Sequence, residues 1–304
     1  MLRRIIDFAR PLVWRLSGLL AFAPRVWRWE ILSRLATDMG LTAMAVQTKD
    51  GLFLMKVQDR TILPHIVKTR SNVGYSVLMD QFRQVLANGG TYLDIGANVG
   101  LTTIPLGSLS NITIHAFEPD PTNFRMLVAN LSINCPGHQF SLHEIALGNE
   151  NGMASFAINP RNAGDNRLAG SGRGAMGEDR WQRIQVPVRR LDHLIGEFNK
   201  PLVVKIDVQG AEAHVAAGAR LTFENADVIS VEWYPYALAR AGGDPALIIS
   251  LIAGFERASM LPHYLDHKLD WRSGKEIADR MNAVLAEGTN PYTSYDVLAI
   301  RGQT

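Results

Sequence analysis

Apolar and polar positions alternate along residues 43–57 with the two-residue period of β-strands. The runs Ala43–Gln47 and Leu52–Val57 flank Lys49-Asp50-Gly51, whose aspartate and glycine suit a tight turn, so a hairpin cap is expected. The period then lengthens. Val77–Leu86 reads as a helix that ends at Asn88-Gly89-Gly90, residues that commonly terminate helices. Beyond Gly90, apolar runs and helical segments take turns: a strand at 91–95, a helix after Gly100, a strand at 112–117, a helix over Thr122–Ile133 and a strand over Gln139–Ile145. Two further apolar runs, Leu202–Asp207 and Val228–Glu232, each end in a carboxylate and enclose a helix starting at Ala211. Pro245–Phe255 is expected to be helical, and Leu261–Leu265 with Val297–Ile300 to close the fold as an antiparallel pair. Such alternation predicts an α/β fold, a mostly parallel sheet with helices on both faces.

The alternation breaks at 151–188. There the strand-like runs Ala154–Ile158 and Ile184–Val188 bracket Asn159–Gly164 and Leu168–Gly174, rich in glycine, asparagine and arginine. An extended hairpin with a mobile tip is expected, lying where an acceptor would enter; Arg161, Arg167, Arg173 and Trp181 would engage an anionic or glycan ligand there, or serve as ordinary loop residues. Three regions follow: a segment at 1–40, a hairpin cap and helix at 41–88, and a catalytic domain at 89–304 carrying the insertion.

Periodicity at the amino terminus is helical and two-sided. Ile5, Phe8, Leu12, Leu16 and Leu19 recur at three- and four-residue steps, with Arg3, Arg10 and Ser17 opposite. The formal charge of +2 conceals seven arginines among the first forty residues against Asp7, Glu30 and Asp38. Residues 1–37 are therefore expected either to lie on an anionic membrane surface or to pack on protein. They cannot span a bilayer, because the longest uncharged run there, Leu16–Pro24, falls far short of about 20 residues. Cys135 is alone, which excludes an intrachain disulfide, and no Cys/His zinc pattern exists. A cytoplasmic enzyme is expected, peripheral on the inner membrane surface if the leading helix meets lipid. The basic residues are not interleaved around a groove, which argues against nucleic acid as partner.

The candidate chemistry centres on Asp94-Ile-Gly96-Ala-Asn98-Val-Gly100, between one strand and the next element, with Glu118 ending the following strand. Gly96 and Gly100 permit a tight turn against a ligand, and a strand-end carboxylate can accept from two ribose hydroxyls. A dinucleotide fingerprint would need glycines at 96, 98 and 101, whereas Asn98 and Leu101 stand there. The spacing D-x-G-x-x-x-G favours S-adenosylmethionine over NAD, and acidic strand ends suit a sulfonium cation better than a pyrophosphate. In an open parallel sheet the ends of these strands lie together, so Asp94, Glu118, Asp207 and Glu232 are expected to converge.

At these residues the chain resembles the FkbM-type methyltransferases. The resemblance is carried in order by Leu93-Asp-Ile-Gly-Ala-Asn-Val-Gly100, Ala116-Phe-Glu-Pro-Asp-Pro-Thr-Asn-Phe124, Ala146-Leu-Gly148, Val186-Pro-Val-Arg-Arg-Leu-Asp192 and Val204-Lys-Ile-Asp-Val-Gln-Gly-Ala-Glu212. It implies a seven-stranded Rossmann-like class I methyltransferase sheet whose last strand is antiparallel. It also implies O-methylation of a hydroxyl on a sugar, glycolipid or related small molecule. By the same resemblance Asp94, Gly96, Asn98 and Gly100 would hold the methionine part of S-adenosylmethionine, Glu118 the ribose, and Ala146 and Leu147 the adenine. Asp207 would face the methyl group as base or positioning acceptor, with Glu212 or His214 as substitutes, and no dedicated metal site is expected. Gln209 departs from the family pattern, which usually has glutamate there. Two other readings stay open: an NAD-dependent oxidoreductase, and a membrane-associated scaffold that retains the fold without turnover.

Overall fold

The computed structural model describes residues 33–69, 76–170, 174, 176–262, 268–288 and 290–302. The expected helix at the amino terminus, the end of the strand expected over Leu261–Leu265, and residues 171–173 and 175 of the expected mobile tip, Arg173 among them, therefore lie outside the described residues. Strands β1 (Ala43–Thr48) and β2 (Gly51–Lys56) pair antiparallel across the predicted turn, and α1 (Ile62–Thr69) and α2 (Ser76–Val85) follow. The alternating domain then contains β3 (Gly90–Ile95), β4 (Ile112–Phe117), α3 (Pro121–Asn134), β5 (Phe140–His143) and β6 (Ala146–Leu147). The insertion supplies β7 (Gly152–Ile158), β8 (Arg167–Leu168) and β9 (Gln182–Arg189). The remaining elements are β10 (Leu202–Ile206), α4 (Glu212–Gly218), α5 (Arg220–Glu224), β11 (Val228–Trp233), α6 (Pro235–Ala241), α7 (Ala246–Ala253), β12 (Arg257–Pro262), α8 (Gly274–Ala286) and β13 (Tyr295–Ile300).

Seven of these strands form one sheet in the order β12-β13-β11-β10-β3-β4-β5. The five from β11 to β5 are parallel, and β13 runs antiparallel to both of its neighbours. This is the seven-stranded class I methyltransferase arrangement. The two-residue strand period sorts each strand's side chains onto opposite faces. Leu93, Ile95, Val204 and Ile206 pack in one core with Val215, Phe223, Ile252 and Met281 of the helices on that side. Tyr92 and Val203 point the other way, onto Leu78, Phe82 and Leu86. A third core joins the hairpin residues Val46, Phe53 and Met55 to Ile66 of α1 and Leu127 of α3.

Three expectations change. No α-helix follows Gly100; residues 101–107 make turns and one 3-10 turn, Ile104–Leu106. Pro105 has no N–H to donate into a helix there, so the turn cannot propagate. The insertion is more than a hairpin: β7 and β9 pair antiparallel, β8 adds to β7, and β6 adds parallel to β9, giving a four-stranded sheet. Finally, α1, α6 and α8 have no counterpart among the expected elements, although Ser273 and Glu276 form a reciprocal capping box that marks the start of α8.

Candidate active site

Strand register assembles the site. Ile95 of β3 lies level with Phe117 of β4 and Ile206 of β10, so the next residues, Gly96, Glu118 and Asp207, leave the sheet side by side. Both Gly96 and Ala97 donate to the Phe117 carbonyl (3.0 and 2.9 Å), and Asp207 donates its N–H to the Ile95 carbonyl (3.0 Å). Glycine is required at 96: its φ is +83°, and a Cβ would stand 1.9 Å from the Asp207 carbonyl oxygen.

An open cleft lies beyond these strand ends. Gly96, Asn98, Glu118, Ala146, Leu147 and Asp207 line it, with Phe117 and Phe156 among the apolar walls. Its far side is built by the cap and the insertion, through Ile62, Ala163, Gly164 and Asn166. Asp59 ties those two together: Oδ1 accepts from the backbone of Ile62 at the start of α1 (2.7 Å), and Oδ2 accepts from Ala163 (3.0 Å). Asp120 makes a second tie, since Oδ2 receives both Lys56 Nζ (2.6 Å) and Asn166 Nδ2 (2.8 Å).

Glu118 is fixed by two backbone donors, Asn98 N–H to Oε2 (2.9 Å) and Asp120 N–H to Oε1 (2.8 Å). Burial nevertheless raises its carboxyl to about 8, outweighing those donors and Lys56. Asn98 adopts the left-handed conformation (φ +51°), and its Oδ1 is buried without a hydrogen-bond partner.

Four of the residues expected to bind cofactor or act in catalysis do not line the cleft, and neither do Glu232, Arg161, Arg167 and Trp181. Asp94 lies beneath the loop, fully buried; its Oδ2 accepts from Thr102 (2.8 Å) and Thr103 (2.6 Å), and its Oδ1 lies 3.6 Å from Lys205 Nζ. Gly100, at φ +93°, packs against Leu127 and Ile104. Glu212 folds its Oε1 onto the N–H groups of Val208 (3.0 Å) and Gly210 (3.1 Å), holding the loop that follows Asp207; burial raises it to about 7. His214 points away, its Nε2 2.9 Å from the Ala241 carbonyl. Of the insertion residues, Arg167 is buried, ion-paired with Asp165, with its guanidinium 5.5 Å from the Trp181 ring and 6.0 Å from that of Tyr234.

Two further cleft residues, Lys205 and Gln209, acquire their contacts in the folded molecule. Lys205 is a charged residue inside a buried strand, which was the available signal. Its Nζ lies 3.5 Å from Asp207 and donates to the Gly96 carbonyl (3.3 Å). Burial works against its charge, but Asp207 and Asp94 overcome that and raise it. Gln209, also left-handed (φ +57°), donates from Nε2 to Asp207 Oδ1 (2.8 Å) and Glu232 Oε2 (2.9 Å). Glu232, level with Asp207 by strand register, is pushed well above the carboxylate range by burial and then by Asp207.

The methyltransferase FkbM domain matches residues 94–259, more than half of the chain. The chain belongs to the FkbM methyltransferase family. S-adenosylmethionine is the cofactor expected of it. This FkbM chain is 29% identical over 197 residues to 2-O-methyltransferase NoeI of Sinorhizobium fredii, covering 60% of this chain and 79% of that one. It is 29% identical over 163 residues to hexuronic acid methyltransferase AglP of Haloferax volcanii, covering 53% of this chain and 60% of the relative. The match thus spans less than two thirds of the AglP length. Among solved structures, a transferase of Pyrococcus horikoshii, PH0793, aligns with a TM-score of 0.45 at 12% identity, over 90% of this chain and 84% of that one.

The residues present fit that cofactor. The glycine cradle at 96 leaves room for a ligand against the backbone, the buried Asn98 Oδ1 needs a donor, and the cleft pairs apolar walls with two carboxylates. A cationic ligand with hydroxyl and amino donors answers all three.

Proposed function

We propose that this protein O-methylates a hydroxyl group of a sugar or glycan. The observation that carries this reading is Asp207, a carboxylate on the cleft wall, braced by Lys205 on one side and Gln209 on the other. S-adenosylmethionine would supply an electrophilic methyl group. In this reading Gly96 and Asn98 hold its amino-acid end, Glu118 accepts from its ribose, and Ala146 and Leu147 flank its base. Asp94 then acts indirectly, by pinning the loop through Thr102 and Thr103. Glu212 likewise acts by shaping the 207–210 turn.

Asp207 would take the proton of the acceptor hydroxyl as its oxygen gains the methyl group, leaving a methyl ether and S-adenosylhomocysteine. Orientation of the hydroxyl supplies much of the acceleration, and a positioned base contributes about 10²–10⁴-fold. The names of NoeI and AglP, one a 2-O-methyltransferase and one acting on a hexuronic acid, support a sugar acceptor.

The test is transfer of labelled methyl groups from S-adenosylmethionine to neutral and uronic-acid oligosaccharides. Alkali-stable label on glycan is expected, since an ether survives where an ester does not. Asp207→Asn should lower turnover about 100-fold or more while S-adenosylhomocysteine still binds. Full turnover by that variant would remove Asp207 from the chemistry, and label confined to protein or nucleic acid would overturn the acceptor class.

A further inference from the structure

Gln209 stands between two carboxylates. Strand register pairs Ile206 of β10 with Val231 of β11, so the residues that follow, Asp207 and Glu232, emerge side by side. They are joined by one amide: Nε2 of Gln209 gives one N–H to Asp207 Oδ1 (2.8 Å) and the other to Glu232 Oε2 (2.9 Å). The reverse amide orientation would set the Gln209 carbonyl against Asp207, oxygen to oxygen, so the two carboxylates fix which way the group faces. A non-glycine residue at φ +57° is strained, and such strain persists where surrounding contacts demand it. The same residue lines the cleft beside Asp207.

We propose that Gln209 is a positioning residue for methyl transfer, holding Asp207 in place as the ionised proton acceptor while the proton shared by the carboxylate pair stays on Glu232. This deepens, and rests on, the reading of Asp207 as the base. The charge surroundings divide the pair in the same sense. Asp207 has Lys205 of β10 at 3.5 Å. Glu232 faces Asp207, Glu212 of α4 and Asp296 of β13, with Arg167 of β8 as its opposing cation. Asp94 of β3 shares Lys205. Two carboxylates so close do not both ionise readily unless each has its own donor or cation. Gln209 supplies one donor to each oxygen, whereas an ionised glutamate in its place would supply none and add a third negative charge.

The experiment follows the carboxyl ¹³C shifts of Asp207 and Glu232 against pH in the full chain, in the wild type, Gln209→Glu and the uncharged Gln209→Met. In the wild type Asp207 should titrate first, with Glu232 protonated through neutrality. Both variants should move the Asp207 midpoint upward by about one unit or more. The acid limb of kcat/KM for methyl transfer should shift by the same amount. Gln209→Met guards against Gln209→Glu failing to fold. An Asp207 midpoint unchanged in a folded variant, or a wild type in which Glu232 ionises before Asp207, overturns the proposal. The carboxyl titration needs no acceptor. If the midpoint moves but no glycan is labelled, the reaction reading fails and the role of Gln209 in setting the charge of Asp207 stands.

Discussion

Burial holds Glu118 neutral in the folded chain up to about pH 8, although two N–H groups point at its oxygens. Its folded pKa lies above its unfolded value of 4.5. Its contribution to stability is therefore present in full below 4.5 and is lost as pH rises through about 8. Ligand hydroxyls that donate to Glu118 favour the ionised form, so binding should expel the proton. S-adenosylhomocysteine is expected to bind more tightly as pH climbs from about 6 to about 8, with proton release seen by calorimetry in buffers of different ionisation enthalpy. Glu118→Gln should abolish that proton release and flatten the decline of ligand-free stability over the same range. At this scale the sequence was informative but incomplete. Gly96, Asn98, Glu118 and Asp207 declared themselves by spacing and strand-end position. Asp94 shares the same motif, yet the side chain of a strand residue alternates in direction, and here it points under the loop to Thr102, Thr103 and Lys205.

Helix α3 substitutes for a missing strand beside the hairpin. Asn130 accepts the Leu54 N–H on Oδ1 (2.7 Å) and returns Nδ2 to the Leu54 carbonyl (3.1 Å), and Asn134 treats Leu52 the same way (2.8 and 2.8 Å). Two side-chain amides thus pair with the open edge of β2, the kind of edge that otherwise recruits another chain. Asn130→Ala should leave the peptide groups of Leu54 unpaired, and should also strip the Val99 carbonyl of its 2.9 Å donor. A loss of about 2 kcal/mol or more is expected from urea denaturation, read as a lower midpoint at unchanged slope. The strands and most helices were legible because their periodicity is local. The asparagine edge was not, because nothing near Asn130 in sequence shows that β2 lies against it. No α-helix follows Gly100, where Pro105 lacks the N–H that a helix from residue 101 would donate.

On the scale of the whole molecule, the cap at 43–69, the methyltransferase sheet and the four-stranded insertion sheet meet around one cleft. No helix among the described residues is long and apolar enough to cross a membrane. The arginine-rich segment is proposed as a peripheral contact with anionic lipid. A chain lacking residues 1–32 keeps Ser33, whose hydroxyl donates to the Val57 carbonyl (3.0 Å). That variant should still bind S-adenosylhomocysteine but no longer sediment with vesicles containing phosphatidylserine; undiminished sedimentation would rule out this segment as the contact.

The sequence by itself determined the α/β class, the order of the strands along the chain, the glycine turn and the family, because each is written in neighbouring residues or in the order of short motifs. Tertiary structure alone decided which carboxylates face the cleft and what charge each can carry. Strand pairing brings Lys205 to Gly96, and Glu232 to within reach of the amide that also holds Asp207, across separations that no local pattern records. Burial, a property of the assembled molecule, then raises Glu118 and Glu232 and leaves Lys205 beside Asp207.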